Sequence, residues 1–160
     1  MAAIVLLLAA AFTAADQCLK LLAVRFLKDG GGRTFAGGYL RLVYTENRGA
    51  AFSILQNKRW FFVTVTFVIC VLIIIALFKY EGHGFFSYAA TALILGGGIG
   101  NMIDRVLNGY VVDYIYVTFF PAVFNFSDCC VTVGTVFLII HMLFFSERDT
   151  GGEKVLRTRR

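Results

Sequence analysis

Four apolar runs, at residues 4–27, 60–78, 85–103 and 129–145, limit most strongly what this chain can become. Each approaches the roughly 20 residues that an α-helix needs to cross the hydrocarbon of a bilayer. In that solvent every backbone N–H and C=O must be satisfied internally, so runs of this length read as helices. Charge is correspondingly scarce. Only 16% of residues are Asp, Glu, Lys or Arg and 59% are hydrophobic, whereas a soluble domain carries roughly 25% charged residues. The expected fold class is an all-α integral membrane protein: four transmembrane helices and a small β-containing platform outside the bilayer.

The first run contains Thr13-Ala14-Ala15, which has the small-residue character of a leader cleavage site. A leader is opposed by the lack of a positively charged start and by the return of Leu19, Leu21, Leu22, Val24 and Phe26 after Asp16-Gln17. As one helix, 4–27 puts Asp16 and Lys20 four residues apart on one face, where they can pair inside a bundle. The pair reads equally as a structural ion pair or as part of a site. Residues 28–59 form the main polar segment. Gly30-Gly31-Gly32 and Gly37-Gly38 mark turns, and Tyr39-Leu40-Arg41-Leu42-Val43-Tyr44-Thr45 has the composition of a short strand. Arg59-Trp60 and Lys79-Tyr80 flank the second run as interfacial anchors. The fourth run is short unless 125–128 joins it.

The formal charge of +5 accompanies no nucleic-acid motif, and the basic residues gather in the polar segment and the tail. They fit an anionic membrane surface, so no nucleic-acid partner is expected. Charge does not orient the protein: seven Lys and Arg fall on the side of the first polar loop and six on the other. Cys18, Cys70, Cys129 and Cys130 lie in or beside apolar runs without a C-x-x-C or Cys/His cluster, so they read as small hydrophobes and no metal site is expected.

Chemistry concentrates where polar residues interrupt membrane sequence. Gly96-Gly97-Gly98-Ile99-Gly100-Asn101 leads to Asp104-Arg105, then Val111-Val112-Asp113, then Phe124-Asn125-Phe126-Ser127-Asp128. The glycines suit close helix packing, Asp104-Arg105 an interfacial charge pair, and His83 and His141 a loop and an interior histidine. Segment 110–123, broken by Asp113 and Pro121, is expected to line or re-enter the membrane. Asp113 and Asp128 could meet if that segment folds back. Two carboxylates in a low-dielectric site do not both ionise cheaply, so one keeps a proton. That is the arrangement of aspartic hydrolysis, with one member taking a proton from water and the other polarising a carbonyl. On the residues alone, the plainer readings, Asp128 as a helix N-cap and Asp113 as a solvated loop residue, outweigh catalysis.

Asp16-Gln17 with Lys20, Asn47-x-Gly49-Ala50-Ala51-Phe52-Ser53, Gly97-Gly98-x-Gly100-Asn101-x-x-Asp104-Arg105, Val111-Val112-Asp113 and Phe124-Asn125-x-x-Asp128 occur in this order. Together they resemble the bacterial lipoprotein signal peptidase (signal peptidase II) family over residues 13–145. The resemblance implies a four-helix membrane aspartyl endopeptidase with an extracytoplasmic β-cradle. It implies cytoplasmic termini and a site near the outer face of the bacterial inner membrane. Its substrates would be prolipoproteins, cut before a diacylglyceryl-modified cysteine, with no cofactor and no metal. Asp113 and Asp128 match the catalytic pair. Asn47, Asn101, Arg105 and Asn125 match residues that hold substrate or order the site, and Asp16, Lys20 and Asp104 match structural residues near it. Ser127 stands where alanine is common, and Cys129-Cys130-Val131 replaces the usual Ser-x-Ile.

Domain organisation follows as one membrane-embedded peptidase domain, 1–146, and a charged cytoplasmic tail, 147–160. Partners would be the substrates and membrane lipids, with the protein a monomer. Two other classes use the same residues: a small proton-coupled carrier with His141 in its relay, and an assembly factor whose polar residues only join helices.

Overall fold

The structure, a computed structural model, describes residues 1–49 and 58–145. The Ala50-Ala51-Phe52-Ser53 part of the Asn47 motif and the 147–160 tail lie outside the described residues. Four long helices carry the chain: α1 (Ala2–Leu27), α2 (Arg59–Lys79), α3 (Phe85–Leu107) and α4 (Phe126–Phe144). All four are long and apolar enough to cross a membrane. Neither α1 nor α2 contains Gly or Pro, so each runs unbroken. The β-branched residues crowding α2 weaken helix propensity in water, but a bilayer leaves an apolar segment no other way to satisfy its backbone.

α3 is the central helix, packing against α1, α2 and α4. In its most apolar stretch 39% of residues are buried inside the protein, against 11% for α2, whose Phe61, Phe67, Leu72 and Phe78 face outward as a lipid-contacting wall. Small residues set the close packing. A Cβ on Gly96 would lie 2.9 Å from the Ala9 carbonyl oxygen of α1, and one on Gly97 would meet the Ser127 carbonyl of α4 at 2.5 Å. The backbones approach to distances that only glycine permits.

Gly109, at φ 82°, ends α3 in the left-handed conformation expected just past a helix C-terminus. The chain then enters β3 (Val111–Val117), which joins β1 (Arg33–Phe35), β2 (Leu40–Asn47) and β4 (Val123–Phe124) in one antiparallel sheet of order β1-β2-β3-β4. Segment 110–123 is therefore largely strand. Its Val, Ile and Tyr residues complete the platform's sheet, with Pro121 in the turn between strands. An irregularity between Leu42 and Thr45 shifts the β2–β3 register, which places Thr45 opposite Asp113 and Asn47 opposite Val111.

Two local expectations change. Asp104 and Arg105 do not end α3 as a surface charge pair; both lie inside its last turns, with Asp104 only 2% exposed. Of the four cysteines, all free, only Cys70 and Cys130 are buried, while Cys18 and Cys129 face out of the bundle. Connectivity puts the sheet at one end of the bundle, with the start of α1 and the end of α4 at the other.

Candidate active site

The site forms where the sheet meets the helix ends. β3 is buried from Val111 to Tyr114, so Asp113 sits at 2% exposure under the platform. Asn47, closing β2, donates its side-chain amide to Asp113 Oδ2 at 2.9 Å. The other oxygen, Oδ1, accepts from Asn125 Nδ2 at 2.6 Å. Asn125 is the N-cap of α4: its Oδ1 accepts from the Asp128 backbone N–H at 3.0 Å, and its own N–H donates to Asp128 Oδ2 at 3.0 Å. This reciprocal capping box assigns the cap to Asn125 and makes Asp128 the third helical residue. Asp128 Oδ1 accepts from Asn101 Nδ2 at 2.8 Å. All four carboxylate oxygens are thus held by neutral donors, and Asn125 touches both aspartates.

A buried charge cluster lies behind this pair. Lys20 Nζ spends its three donors on Asp16 Oδ2 at 2.8 Å, Asp104 Oδ2 at 3.1 Å and Asn101 Oδ1 at 2.8 Å. The last bond fixes the orientation of the Asn101 amide, because a cation on Oδ1 turns Nδ2 toward Asp128. The two acids are satisfied further. Asp16 Oδ1 accepts from the Ser127 backbone N–H at 3.0 Å and Asp104 Oδ2 from that of Val112 at 3.0 Å. One lysine therefore links α1, α3, β3 and the head of α4.

Gln17, named in the sequence motif but not chosen as a site residue, belongs to the same cluster. Its amide donates to Asp104 Oδ1 at 3.1 Å and to the Gly100 carbonyl at 3.2 Å. Its signal was a polar neighbour to Asp16 inside an apolar helix. Ser127 is fully buried, and its hydroxyl has no partner among the described residues.

Arg105 lies toward the platform. Nη1 donates to the Asn101 carbonyl at 3.2 Å, Nη2 to the Gly49 carbonyl at 3.4 Å, and the guanidinium lies 5.1 Å from the centre of the Phe62 ring. The Gly49 N–H in turn donates to Asn47 Oδ1 at 3.0 Å. A cavity of about 360 Å³ opens here, with Asn47, Asn101, Arg105 and Asp128 on its wall and Gly97, Gly98 and Thr66 below them. Asp113 is not part of that wall and is reached through Asn47 and Asn125. Burial raises its carboxyl to about 6, and the charge of Asp128 raises it as well, against the lowering effects of the Asn47 and Asn125 amides and Lys20. Among the described residues no three His, Cys, Asp or Glu side chains gather as a metal site.

Every residue singled out from sequence, Asp16, Lys20, Asn47, Asn101, Asp104, Arg105, Asp113, Asn125 and Asp128, belongs to one connected polar centre at the head of the bundle. Fold and centre define the class: a multi-pass membrane protein of four helices and a small sheet, with paired acids held between them. Comparison with known proteins carries this further. Residues 8–144 match the family model described as signal peptidase (SPase) II. A lipoprotein signal peptidase of Caldanaerobacter subterraneus subsp. tengcongensis is 45% identical over 129 residues, covering 81% of this chain and 88% of the relative. One of Geobacillus thermodenitrificans is 39% identical over 155 residues, covering 95% and 97%. A solved bacterial membrane enzyme, determined by the in meso method at 2.3 Å, superposes with TM-score 0.81 at 31% identity, covering 93% of this chain and 90% of that one. The chain belongs to the signal peptidase II family, and is thus a peptide-bond hydrolase of the membrane.

Proposed function

We propose that the protein is an aspartic endopeptidase that removes the signal peptide of prolipoproteins by cutting before a diacylglyceryl-modified cysteine, with Asp113 and Asp128 as the catalytic pair. The observation that carries this reading is Asn125, which holds both aspartates while exposing only Asp128 to the cavity. Asp128, ionised, takes a proton from water as the oxygen attacks the scissile carbonyl. Asp113, whose carboxyl burial raises to about 6, supplies in its protonated form the hydrogen that stabilises the developing oxyanion. Collapse of the tetrahedral intermediate breaks the C–N bond, and the proton held by Asp128 passes to the leaving amine. Asn47, Asn101 and Arg105 seat the substrate backbone, while Asp16, Lys20 and Asp104 keep the floor of the site in register.

The termini lie in the cytoplasm, and the sheet and site lie at the outer face of the cell membrane. Membrane lipids surround a monomer, since one chain supplies every group in the site. Purified protein should release signal peptide from a diacylglyceryl-modified precursor and leave the unmodified precursor intact. Equal cleavage of both would remove the lipid from substrate recognition, and cleavage of neither would remove the activity. In intact cells, a Gly31→Cys variant should react with an impermeant thiol reagent; reaction only after lysis would invert the orientation.

A further inference from the structure

A second cavity, of about 380 Å³, lies between α2, α3 and α4 near the end of the bundle remote from the sheet. From Ser87 on its wall to Asn101 of the site, α3 rises about 20 Å at 1.5 Å per residue. Most of its polar residues lie near the helix ends: Tyr80 just past α2, His83 and Ser87 around the start of α3, His141 in the last turn of α4, with Thr91 one turn further into α3. The rest of its wall is largely apolar, with Ile73 and Ile94 inside and the exposed Leu72 and Leu138 at the bundle surface. The cavity is therefore amphipathic, with its polar end toward the membrane surface.

Two ring nitrogens there, His83 Nε2 and His141 Nδ1, are buried without a hydrogen-bond partner among the described residues, and the His141 residue is only 4% exposed. Buried polar atoms of this kind are rare and call for an explanation. The other nitrogen of each ring is engaged: His141 Nε2 with the Tyr80 hydroxyl at 3.3 Å, His83 Nδ1 with the Ser87 hydroxyl at 2.6 Å. A phenol is a better donor than a neutral imidazole N–H, and an imidazole nitrogen a better acceptor than a phenol oxygen. Tyr80 therefore donates, which leaves the His141 proton on Nδ1. A Ser87 hydroxyl that likewise donates, to His83 Nδ1, leaves the His83 proton on Nε2; an aliphatic hydroxyl also accepts, so this tautomer belongs to the proposal below and not to the geometry. In these tautomers two residues lining the groove each carry a buried N–H without an acceptor among the described residues, and the group that completes them is a hydrogen-bond acceptor.

We propose that this cavity binds a phosphate-bearing glycerolipid, whose headgroup oxygens accept from His83 Nε2–H and His141 Nδ1–H while an acyl chain lies along Leu72, Ile73, Ile94 and Leu138. A cationic or N-terminal peptide segment would bring further donors to the same nitrogens, so the chemistry favours the lipid. This site does not depend on the assignment of the catalytic pair.

The test uses the full-length protein, stripped of lipid in detergent, with binding followed by native mass spectrometry and by the ¹⁵N shifts of labelled histidine rings. Phosphatidylglycerol should bind one per protein and move the ring nitrogens of both histidines. Diacylglycerol, which lacks the phosphate, should bind about tenfold more weakly, as expected for loss of hydrogen bonds to a charged acceptor. Inorganic phosphate should not bind at millimolar concentration. His83→Leu and His141→Leu should each weaken phosphatidylglycerol about tenfold by the same argument, whereas His141→Gln, which keeps an N–H donor, should retain most of the affinity. Diacylglycerol binding as tightly as phosphatidylglycerol would reduce the site to a greasy groove, and saturation by inorganic phosphate would make it a free-anion site. Displacement of the lipid by an uncleavable precursor would give the cavity to the substrate's signal peptide. If the leucine variants do not fold, unmoved histidine ¹⁵N shifts in the unaltered protein are enough to overturn the proposal.

Discussion

Asn125 donates its side-chain amide to Asp113 Oδ1 at 2.6 Å while capping the helix that carries Asp128. One residue therefore sets both the start of α4 and the spacing of the acids, and the two duties can be separated. Asn125→Ser keeps a good N-cap but cannot reach Asp113, so it should lose only the roughly 1–3 kcal/mol of leaving that buried acceptor unpaired. Turnover should fall by at least tenfold, and Asn125→Ala should lose both properties. Thermal melts and precursor cleavage on the two variants check this. Full activity in the serine variant would show that the pair holds its geometry without the amide.

The pH dependence follows from Asp113. With its carboxyl at about 6, the free enzyme loses the shared proton as pH rises through that value, so kcat/KM should fall along a basic limb beginning there. Substrate that expels water strengthens the desolvation, so the corresponding limb of kcat should lie at higher pH. The Asn47 amide favours the ionised form of Asp113. Asn47→Ala should therefore move the basic limb upward in pH, even though it also weakens substrate seating. A limb that moves down or stays fixed would contradict Asp113 as the proton carrier.

The four spans were legible because hydrocarbon leaves an apolar run of that length one backbone solution. The acids were legible as exceptions within it, although each also had a bland reading: Asp16 in an ion pair, Asp104 beside Arg105, Asp113 in a loop and Asp128 as a helix cap. What the residues alone did not reveal was partnership. Asp104 beside Arg105 suggested a pair, yet adjacent helical residues point apart, and Asp104 turns instead to Lys20 on α1. Segment 110–123 suggested a stretch lining or re-entering the membrane because its apolar residues carry no mark of which surface they cover. Only pairing with β2, which is long-range, makes it a strand. Asn125 and Asp128 share one turn, so which of them is the cap depended on where the helix begins.

Arg105 offers a sharper test of shape against charge. Its guanidinium reaches two carbonyls and lies against Phe62 at once. Lysine keeps the charge but not the planar fork. Arg105→Lys should insert and accumulate normally yet lose about tenfold or more in kcat/KM, by the loss of hydrogen bonds from a charged donor. Unchanged kinetics would make Arg105 an interfacial anchor only.

Gly100 tests the helix interface. A Cβ there would lie 2.6 Å from Asp16 Oδ2 and collide with the Ser127 hydroxyl. Gly100→Ala should push α3 from α1 and from the head of α4, costing about 1–3 kcal/mol as overpacking does. Gly100→Ala with Ser127→Ala removes one of the two clashes and should recover part of that loss in a melt. No recovery would place the strain at Asp16 instead.

The dyad itself is tested by Asp113→Asn and Asp128→Asn, which preserve size and remove the titratable carboxyl. Either change should stop hydrolysis almost completely, and the double variant should be little worse, because members of one catalytic unit are not additive. Stability supplies an independent reading at Asp113. Its folded value, about 6, is above its ordinary 3.8, so its stabilising contribution is complete below about 3.8 and is lost as pH rises through about 6. Asp113→Asn removes this pH dependence, so its stability relative to the unaltered protein should rise by about 1–3 kcal/mol between about pH 4 and neutral pH. It rises from a level lowered throughout, because the new amide N–H₂ meets the Asn47 or Asn125 donor. Asp104→Asn is the control. It weakens the pairing with Lys20, so it should melt lower but keep measurable cleavage of a diacylglyceryl precursor. A dead, well-folded Asp104→Asn beside an active Asp113→Asn would transfer the chemistry to another acid.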